Sequence, residues 1–168
     1  GHVGYHLCRE LHAAGARLTV ADADHAKAAR AQSEFGAAVA PIGEIFDVEA
    51  DVLAPCALGS ALNDDTIPRL RTPIVAGAAN NQLAEPRHGE ALRQRGIVYA
   101  PDYAINAGGL VNVAQEVVGY DAERSRTRTL AIYDTILEII QRADAEQVPT
   151  STVADRMVEE RLARVAVK

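Results

Sequence analysis

The sequence predicts an α/β fold in which a parallel, doubly wound sheet precedes a helical tail. Up to residue 119 of the 168-residue chain, short apolar segments alternate with helical patterns, as expected for parallel strands joined by crossover helices. Beyond residue 119 only helical patterns remain. We therefore expect an α/β domain over residues 1–119 and a helical tail over residues 120–168.

Apolar periodicity and end signals place each element along the chain. Val3 and Leu7 recur at helical spacing, and Gly15 supplies the stop of the first predicted helix. Asp24 is a good N-cap for the second helix, which should end at Gly36. Strands are expected at residues 17–21, 37–40, 52–54, 74–76 and 97–100, and helices at residues 2–15, 26–35, 42–46, 63–70, 86–95, 108–118, 122–145 and 151–165.

The balance of charge and hydrophobicity argues against two classes of partner. A net charge of −6 disfavours a nucleic-acid surface. No window approaches the roughly 18 apolar residues of a membrane helix, and no signal-peptide pattern opens the chain. We therefore expect a cytoplasmic protein whose partners are small molecules rather than nucleic acid or membrane.

Cysteine and histidine are too sparse to indicate a metal site. Cys8 and Cys56 are the only two cysteines, and in a cytosolic protein they are expected to be free thiols. His2 and His6 are four residues apart, but no third ligand lies nearby in the sequence. No metal site is predicted.

Three of the predicted strands are followed by loops of small and amide-bearing residues. Because the carboxyl ends of parallel strands meet at one edge of the sheet, ligands of open α/β sheets bind there. We expect this edge to carry the binding site. The loops cover residues 54–59, 76–82 and 100–109.

The start of the chain matches part of a dinucleotide-binding fingerprint, G-x-G-x-x-G. Gly1 and Gly4 would be its second and third glycines, and Asp22 follows a strand 18 positions after Gly4. In that motif the helix N-terminus faces the pyrophosphate, and an acid about 20 residues on binds the ribose hydroxyls. The cofactor-binding residues predicted here are Gly1, His2, Val3, Gly4, Tyr5 and Asp22.

This match has two consequences. A carboxylate at Asp22 repels a 2′-phosphate, which favours NAD over NADP. The first glycine and the strand before it would lie upstream of Gly1, so we expect a Rossmann-type sheet that lacks its first strand. The alternative for Asp22 is a plain helix cap, a role that Asp24 fills better.

Three strings within these loops and strands carry a family resemblance. Residues 54–59, 78–83 and 99–109 resemble signatures of the amino-acid dehydrogenases that act on leucine, valine, phenylalanine and glutamate, and the leucine/valine branch most closely. The resemblance extends from residue 1 to about residue 164. It implies an NAD-dependent oxidoreductase that reversibly deaminates a branched-chain amino acid to its 2-oxo acid and ammonia.

The resemblance also implies roles for residues at the loop edge. Cys56 and Ala57 would lie along the nicotinamide ribose, Asn80 would reach the nicotinamide and the substrate, and Asn106 would hold the carboxamide. Amides at strand ends can fix the ring face-on to a substrate without adding charge. The alternative is that each asparagine only builds a turn.

Leu110 and Val113 would line the substrate side-chain pocket together with Asn80, again by resemblance. They are three residues apart on one predicted helix and therefore share a face. Their aliphatic side chains favour a branched-chain substrate over glutamate. A phenylalanine dehydrogenase is not excluded by this pair, and both residues could instead belong to the core.

The family's catalytic lysine and its acidic partner match nothing in this sequence. Lys27 and Lys168 are the only lysines, and neither lies in a matching motif. We therefore expect no catalytic residue in this chain, a catalytic domain upstream of it, and a homo-oligomeric complete enzyme. The resemblance also implies that the helical tail over residues 120–168 packs back on that catalytic domain. A non-catalytic dinucleotide-binding module is the alternative, and the amide-rich nicotinamide side argues against it.

Overall fold

Parallel pairing of short strands confirms the predicted α/β class. The computed structural model describes residues 1–57, 59–117 and 119–166. Every strand pair runs parallel, and the register places Val52 opposite Ile74 and Ile74 opposite Val98. The strands are β1 (Thr19–Val20) beside β2 (Ala38–Val39), and β3 (Val52–Leu53), β4 (Ile74–Val75) and β5 (Val98–Tyr99) in the order β3-β4-β5.

Helices alternate with these strands and then continue alone to the end of the described chain. One of them, α4, is a single turn that the sequence did not predict. The helices are α1 (His2–Ala13), α2 (His25–Phe35), α3 (Arg87–Gln94), α4 (Asp102–Ile105), α5 (Gly108–Val117), α6 (Ala122–Leu130), α7 (Ile132–Glu146) and α8 (Thr150–Ala166), with 3-10 turns at Ile45–Asp47 and Ile67–Arg69.

Local capping chemistry fixes the ends of α2 as predicted. The Asp24 carboxylate accepts a hydrogen bond from the Ala26 N–H at 3.0 Å. Gly36 ends the helix with a left-handed φ of 64°, a conformation that costs glycine little. The expected end of α5 at Val118 and the last two residues of the tail lie outside the described residues.

The helix predicted over residues 63–70 is wrong. Asn63 does act as a cap, since its side-chain oxygen accepts from the N–H groups of Asp65 and Thr66 at 3.0 Å each. Only the 3-10 turn Ile67–Arg69 follows. Pro68 has no N–H to donate and disfavours an α conformation before it, so the turn does not extend into an α-helix.

The single helix predicted over residues 122–145 is also wrong, because it is divided into α6 and α7 at Ala131. Threonine hydroxyls bond back to the helix on both sides of the break. Thr129 Oγ1 donates to the Ser125 carbonyl at 2.9 Å, and Thr135 Oγ1 donates to the Ala131 carbonyl at 3.3 Å. Such bonds compete with the helical ladder and bend helices.

The strands form two sheets rather than one continuous sheet. Across the described ranges, no ladder joins β1 to β3. Each of these strands therefore has one edge without a ladder partner among these residues, and Val52 in β3 is 46% exposed. The Rossmann-type order stays a prediction.

Two hydrophobic clusters form the core of the described chain. The first fills the space around β4, and the second joins α7 to α8. Thr150 at the start of α8 donates a hydrogen bond to the Tyr99 carbonyl at 2.6 Å, which ties the helical tail to β5. The clusters are Leu62, Ile67, Leu70, Val75, Leu92, Ile97 and Tyr99, and Ile139, Ala143, Val153, Ala154 and Met157.

Among the described helices, none combines the length and the apolar character needed to cross a membrane.

Candidate functional site

The loops that follow β3 and β4 are in direct backbone contact. The Ala79 N–H donates to the Pro55 carbonyl at 2.9 Å. A Cβ on Gly77 would lie 2.3 Å from the Pro55 oxygen, so only glycine fits at this position. The two loops thus form one surface at the carboxyl end of the sheet, as the parallel topology requires.

The structure brings Asn80 and Asn106 together. The Asn106 side-chain N–H donates to Asn80 Oδ1 at 2.6 Å and to the Ala78 carbonyl at 3.3 Å. Asn80 is exposed. The two residues are 26 positions apart in the sequence and come from the loops after β4 and β5. They form an amide pair at the carboxyl ends of these strands.

The first turn of α1 lies against the loop after β3. A Cβ added to Gly4 would be 3.3 Å from the Cys56 Cβ, which is tight enough to require a neighbour to move. Gly4 therefore permits the close approach of α1 to this loop. Ala57, next to Cys56, is exposed on the same loop.

Asp22 lies beside the start of α1. Its carboxylate accepts from the Gly1 amino group at 2.9 Å and from the Asp24 N–H at 2.9 Å. An aspartate is ordinarily ionised at neutral pH, and Asp24 rather than Asp22 caps α2.

The basic side chains near Asp22 have other partners. The Lys27 ammonium lies 3.4 Å from Asp24. The Arg30 guanidinium stacks 4.0 Å above the Tyr5 ring and donates to Glu34 at 2.6 Å. Both cations are thus engaged in ion pairs at the surface of α2.

The side chain of Tyr5 points toward α2. Its hydroxyl donates to Glu34 at 2.6 Å, and its ring lies 5.3 Å from the ring of Phe35. The His2 ring packs on His6 at 4.4 Å. Tyr5 and His2 belong to the five predicted cofactor-binding residues at the start of α1. Their side chains contact α2 and α1, respectively. Their backbone remains part of the helix N-terminus.

Leu110 and Val113 lie on the exposed side of α5. Leu110 is 74% exposed and Val113 is 56% exposed, so neither belongs to the core of the described chain. The helix that carries them begins two residues after Asn106. Leu110 and Val113 thus follow Asn106 by four and seven residues.

The sequence profile of the family described as Glutamate/Leucine/Phenylalanine/Valine dehydrogenase matches residues 1–164. The chain belongs to this dehydrogenase family.

Individual members of this dehydrogenase family match nearly all of the chain. A leucine dehydrogenase from Bacillus cereus is 52% identical over 163 residues, which cover 97% of this chain and 44% of the relative. A valine dehydrogenase from Streptomyces coelicolor is 46% identical and covers 97% of this chain and 46% of the relative. The chain therefore spans about half the length of the curated relatives it matches.

A solved structure agrees with the fold. The crystal structure of L-tryptophan dehydrogenase from Nostoc punctiforme matches with a TM-score of 0.94 and 46% sequence identity, covering 98% of this chain and 50% of that chain. Relatives with different named substrates are thus similarly close in sequence.

Two buried polar residues next to the amide pair were not predicted from the sequence. Gln82 is fully buried, and its backbone N–H donates to the Asp102 carboxylate at 3.0 Å. Asp102 is itself 8% exposed. Both residues lie inside the strings that carried the family resemblance, directly after Asn81 and Pro101. A polar residue in such a string was the available signal, but its burial was not visible in the sequence.

Proposed function

We propose that this chain is the NAD-binding part of a branched-chain L-amino-acid dehydrogenase. The observation that carries the proposal is the Asn80–Asn106 amide pair, which lies at the same carboxyl edge of parallel strands as the loop of Cys56. Membership of the dehydrogenase family supports it. The proposed frame is a Rossmann-type sheet, with the β1–β2 pair and the β3–β4–β5 sheet as its two halves.

Each chemical group of NAD can be matched to residues along this edge. The N-terminal turn of α1 would hold the pyrophosphate, since its free N–H groups and helix dipole favour an anion. The ionised Asp22 would accept hydrogen bonds from the adenine ribose. Cys56 and Ala57 would follow the second ribose. Asn80 and Asn106 would fix the carboxamide end.

Asp22 also supports NAD over NADP. Its charge would repel a 2′-phosphate, and the neighbouring Lys27 and Arg30 are paired with Asp24 and Glu34. The site therefore offers an anion where NADP would require a cation.

The proposed reaction converts an L-amino acid, water and oxidised NAD to a 2-oxo acid, ammonium, NADH and a proton. NAD supplies the hydride acceptor when it is bound. The amide pair would hold the nicotinamide face against the substrate α-carbon, and α5 would present Leu110 and Val113 to the substrate side chain. We place the acid–base groups in another part of the complete enzyme, which we propose to be a cytoplasmic homo-oligomer.

Leu110 and Val113 together favour a branched aliphatic substrate, with phenylalanine as the alternative. In the complete enzyme, Leu110→Ala should enlarge the pocket and shift relative kcat/KM from leucine and valine toward phenylalanine. One methylene in an apolar pocket changes such ratios by roughly 10- to 200-fold. Leu162→Ala, at a leucine that is 64% exposed on α8, is the control. If the two variants rank the three substrates identically, the pocket assignment is wrong.

The reaction itself is tested with the complete protein by following NADH absorbance with leucine or valine as substrate. We expect amino-acid-dependent NADH formation that requires oxidised NAD. A protein that binds NAD tightly but reduces none of it with leucine, valine or phenylalanine would instead be a non-catalytic dinucleotide-binding module.

A further inference from the structure

Gln82 and Asp102 are buried next to the amide pair and bond to the segments that carry Asn80 and Asn106. We call these two residues the polar brace. Gln82 is fully buried at the end of the loop after β4, and Asp102 is 8% exposed at the start of α4. The Gln82 backbone N–H donates to the Asp102 carboxylate at 3.0 Å. This bond joins the loop that carries Asn80 to the loop that carries Asn106.

The Gln82 side chain fixes the curvature of its own loop. Its amide N–H groups donate to the carbonyls of Gly77 and Ala79 at 2.8 and 2.9 Å. The residue between them, Ala78, offers its carbonyl to the side chain of Asn106. The glutamine thus sets the position of an acceptor that Asn106 uses.

Asp102 holds the other half of the pair. Its carboxylate also accepts from the Tyr103 N–H at 2.9 Å, and its backbone carbonyl accepts from the Asn106 N–H at 2.9 Å. The burial of Tyr99 first, and then the nearby Asp102 charge, raise the pKa of the Tyr99 hydroxyl. Asp102 therefore contacts both the loop that carries Asn80, through the Gln82 N–H, and the segment that carries Asn106.

Burial of Gln82 has a cost that an apolar side chain would avoid. Its side-chain oxygen is buried and has no hydrogen-bond partner within residues 1–57, 59–117 and 119–166, and an unsatisfied buried acceptor is unfavourable. The two N–H bonds to the loop carbonyls are what glutamine supplies here and leucine cannot.

We propose that Gln82 and Asp102 are positioning residues that set the spacing and rotation of the Asn80–Asn106 pair, and through it the orientation of the nicotinamide ring. This inference rests on the proposed function, in which that pair holds the carboxamide. Neither residue needs to touch NAD. Small displacements of reacting groups are costly in rate, on the order of 10²-fold for about 1 Å.

The test compares Gln82→Leu and Asp102→Asn in the complete enzyme with two ligands. NAD spans the whole site, whereas ADP-ribose keeps the pyrophosphate and both riboses and lacks only the nicotinamide, so the difference between the two ligands isolates the nicotinamide contact. We expect both variants to lower kcat/KM for NAD, by on the order of 10²-fold for Gln82→Leu. The Kd of ADP-ribose should stay within about twofold of the wild-type value, equivalent to a difference below about 0.4 kcal/mol. Asp102→Asn keeps one acceptor oxygen, so its kcat/KM for NAD should fall less than that of Asp102→Ala.

Thr72→Val is the matched control. Thr72 is buried and bonds to Ile74 at the amino end of β4, the end opposite to the brace. We expect it to leave both measurements unchanged. Equal losses of NAD and ADP-ribose binding in Gln82→Leu and Asp102→Asn would show a merely structural role and overturn the inference. Unchanged kinetics in both variants would overturn it as well.

Asn80→Ala separates this inference from the proposed function. Reduced kcat/KM in Asn80→Ala together with wild-type kinetics in Gln82→Leu and Asp102→Asn overturns the positioning role alone. Wild-type kinetics in Asn80→Ala overturns the nicotinamide assignment, and the positioning role with it. In a double variant, the losses of kcat/KM from Gln82→Leu and Asn80→Ala should be less than additive, because Gln82→Leu acts through the Asn80–Asn106 pair that Asn80→Ala already removes.

Discussion

Gly77→Ala should destabilise the chain and abolish ordered contact between the loops after β3 and β4. The new Cβ would lie 2.3 Å from the Pro55 oxygen and 2.4 Å from the Pro55 nitrogen, so the backbone must move. That movement would break the bond from Ala79 to Pro55 and displace the carbonyl that Gln82 holds. Overpacking of this kind costs about 1–3 kcal/mol, and sometimes more.

A thermal melt followed by circular dichroism measures this effect. For domains of 150–250 residues, each kcal/mol corresponds to about 2–4 °C in Tm. Gly43→Ala is the control, since a Cβ there meets no atom of the described residues within 4 Å. We expect its Tm to be unchanged or slightly higher, because alanine reduces the entropy of the unfolded chain. Equal Tm values for the two variants would show that the loops are not in close contact.

Asp22→Ala should weaken NAD binding to the complete enzyme and relax its discrimination against NADP. Loss of hydrogen bonds to a charged group costs about 1–3 kcal/mol, or roughly 5- to 150-fold in Kd. Removing the carboxylate also removes its repulsion of the 2′-phosphate. Titration with NADH and NADPH, followed by fluorescence, gives both dissociation constants.

Asp24→Ala separates this effect from damage to α2. Asp24 caps the helix through its bond to Ala26, and loss of an N-cap typically costs about 1 kcal/mol of stability. This variant should lower Tm and leave the NAD/NADP preference unchanged. If the preference of Asp22→Ala also matches the wild type, Asp22 is only a turn residue that receives the Asp24 N–H.

The parts of the fold that the sequence predicted depend on local chemistry. The Asp24 cap, the Gly36 stop and the short apolar strands follow from neighbouring residues. The division of the tail at Ala131 depends on threonine hydroxyls that bond back within the helix, and threonine spacing alone does not reveal those bonds. The split into two sheets depends on backbone pairing between distant segments.

In the candidate site, too, some features were predictable from the sequence and others depend on packing between distant segments. The meeting of the Asn80 and Asn106 loops was predictable because parallel strands deliver their carboxyl ends to one edge. The direction of the Tyr5 side chain was not, since it depends on the packing of α1 against α2. The burial of Gln82 and Asp102 was not predictable either, because a polar residue in a loop is more often exposed.

The most direct test of the proposed NAD site is a crystal structure of the complete protein with NAD bound. We expect the pyrophosphate at the N-terminal turn of α1 and the adenine ribose hydroxyls on the Asp22 carboxylate. The carboxamide should lie within hydrogen-bond distance of Asn80 or Asn106. NAD bound away from this edge, or bound in reverse with adenine at the amide pair, would contradict the proposed site.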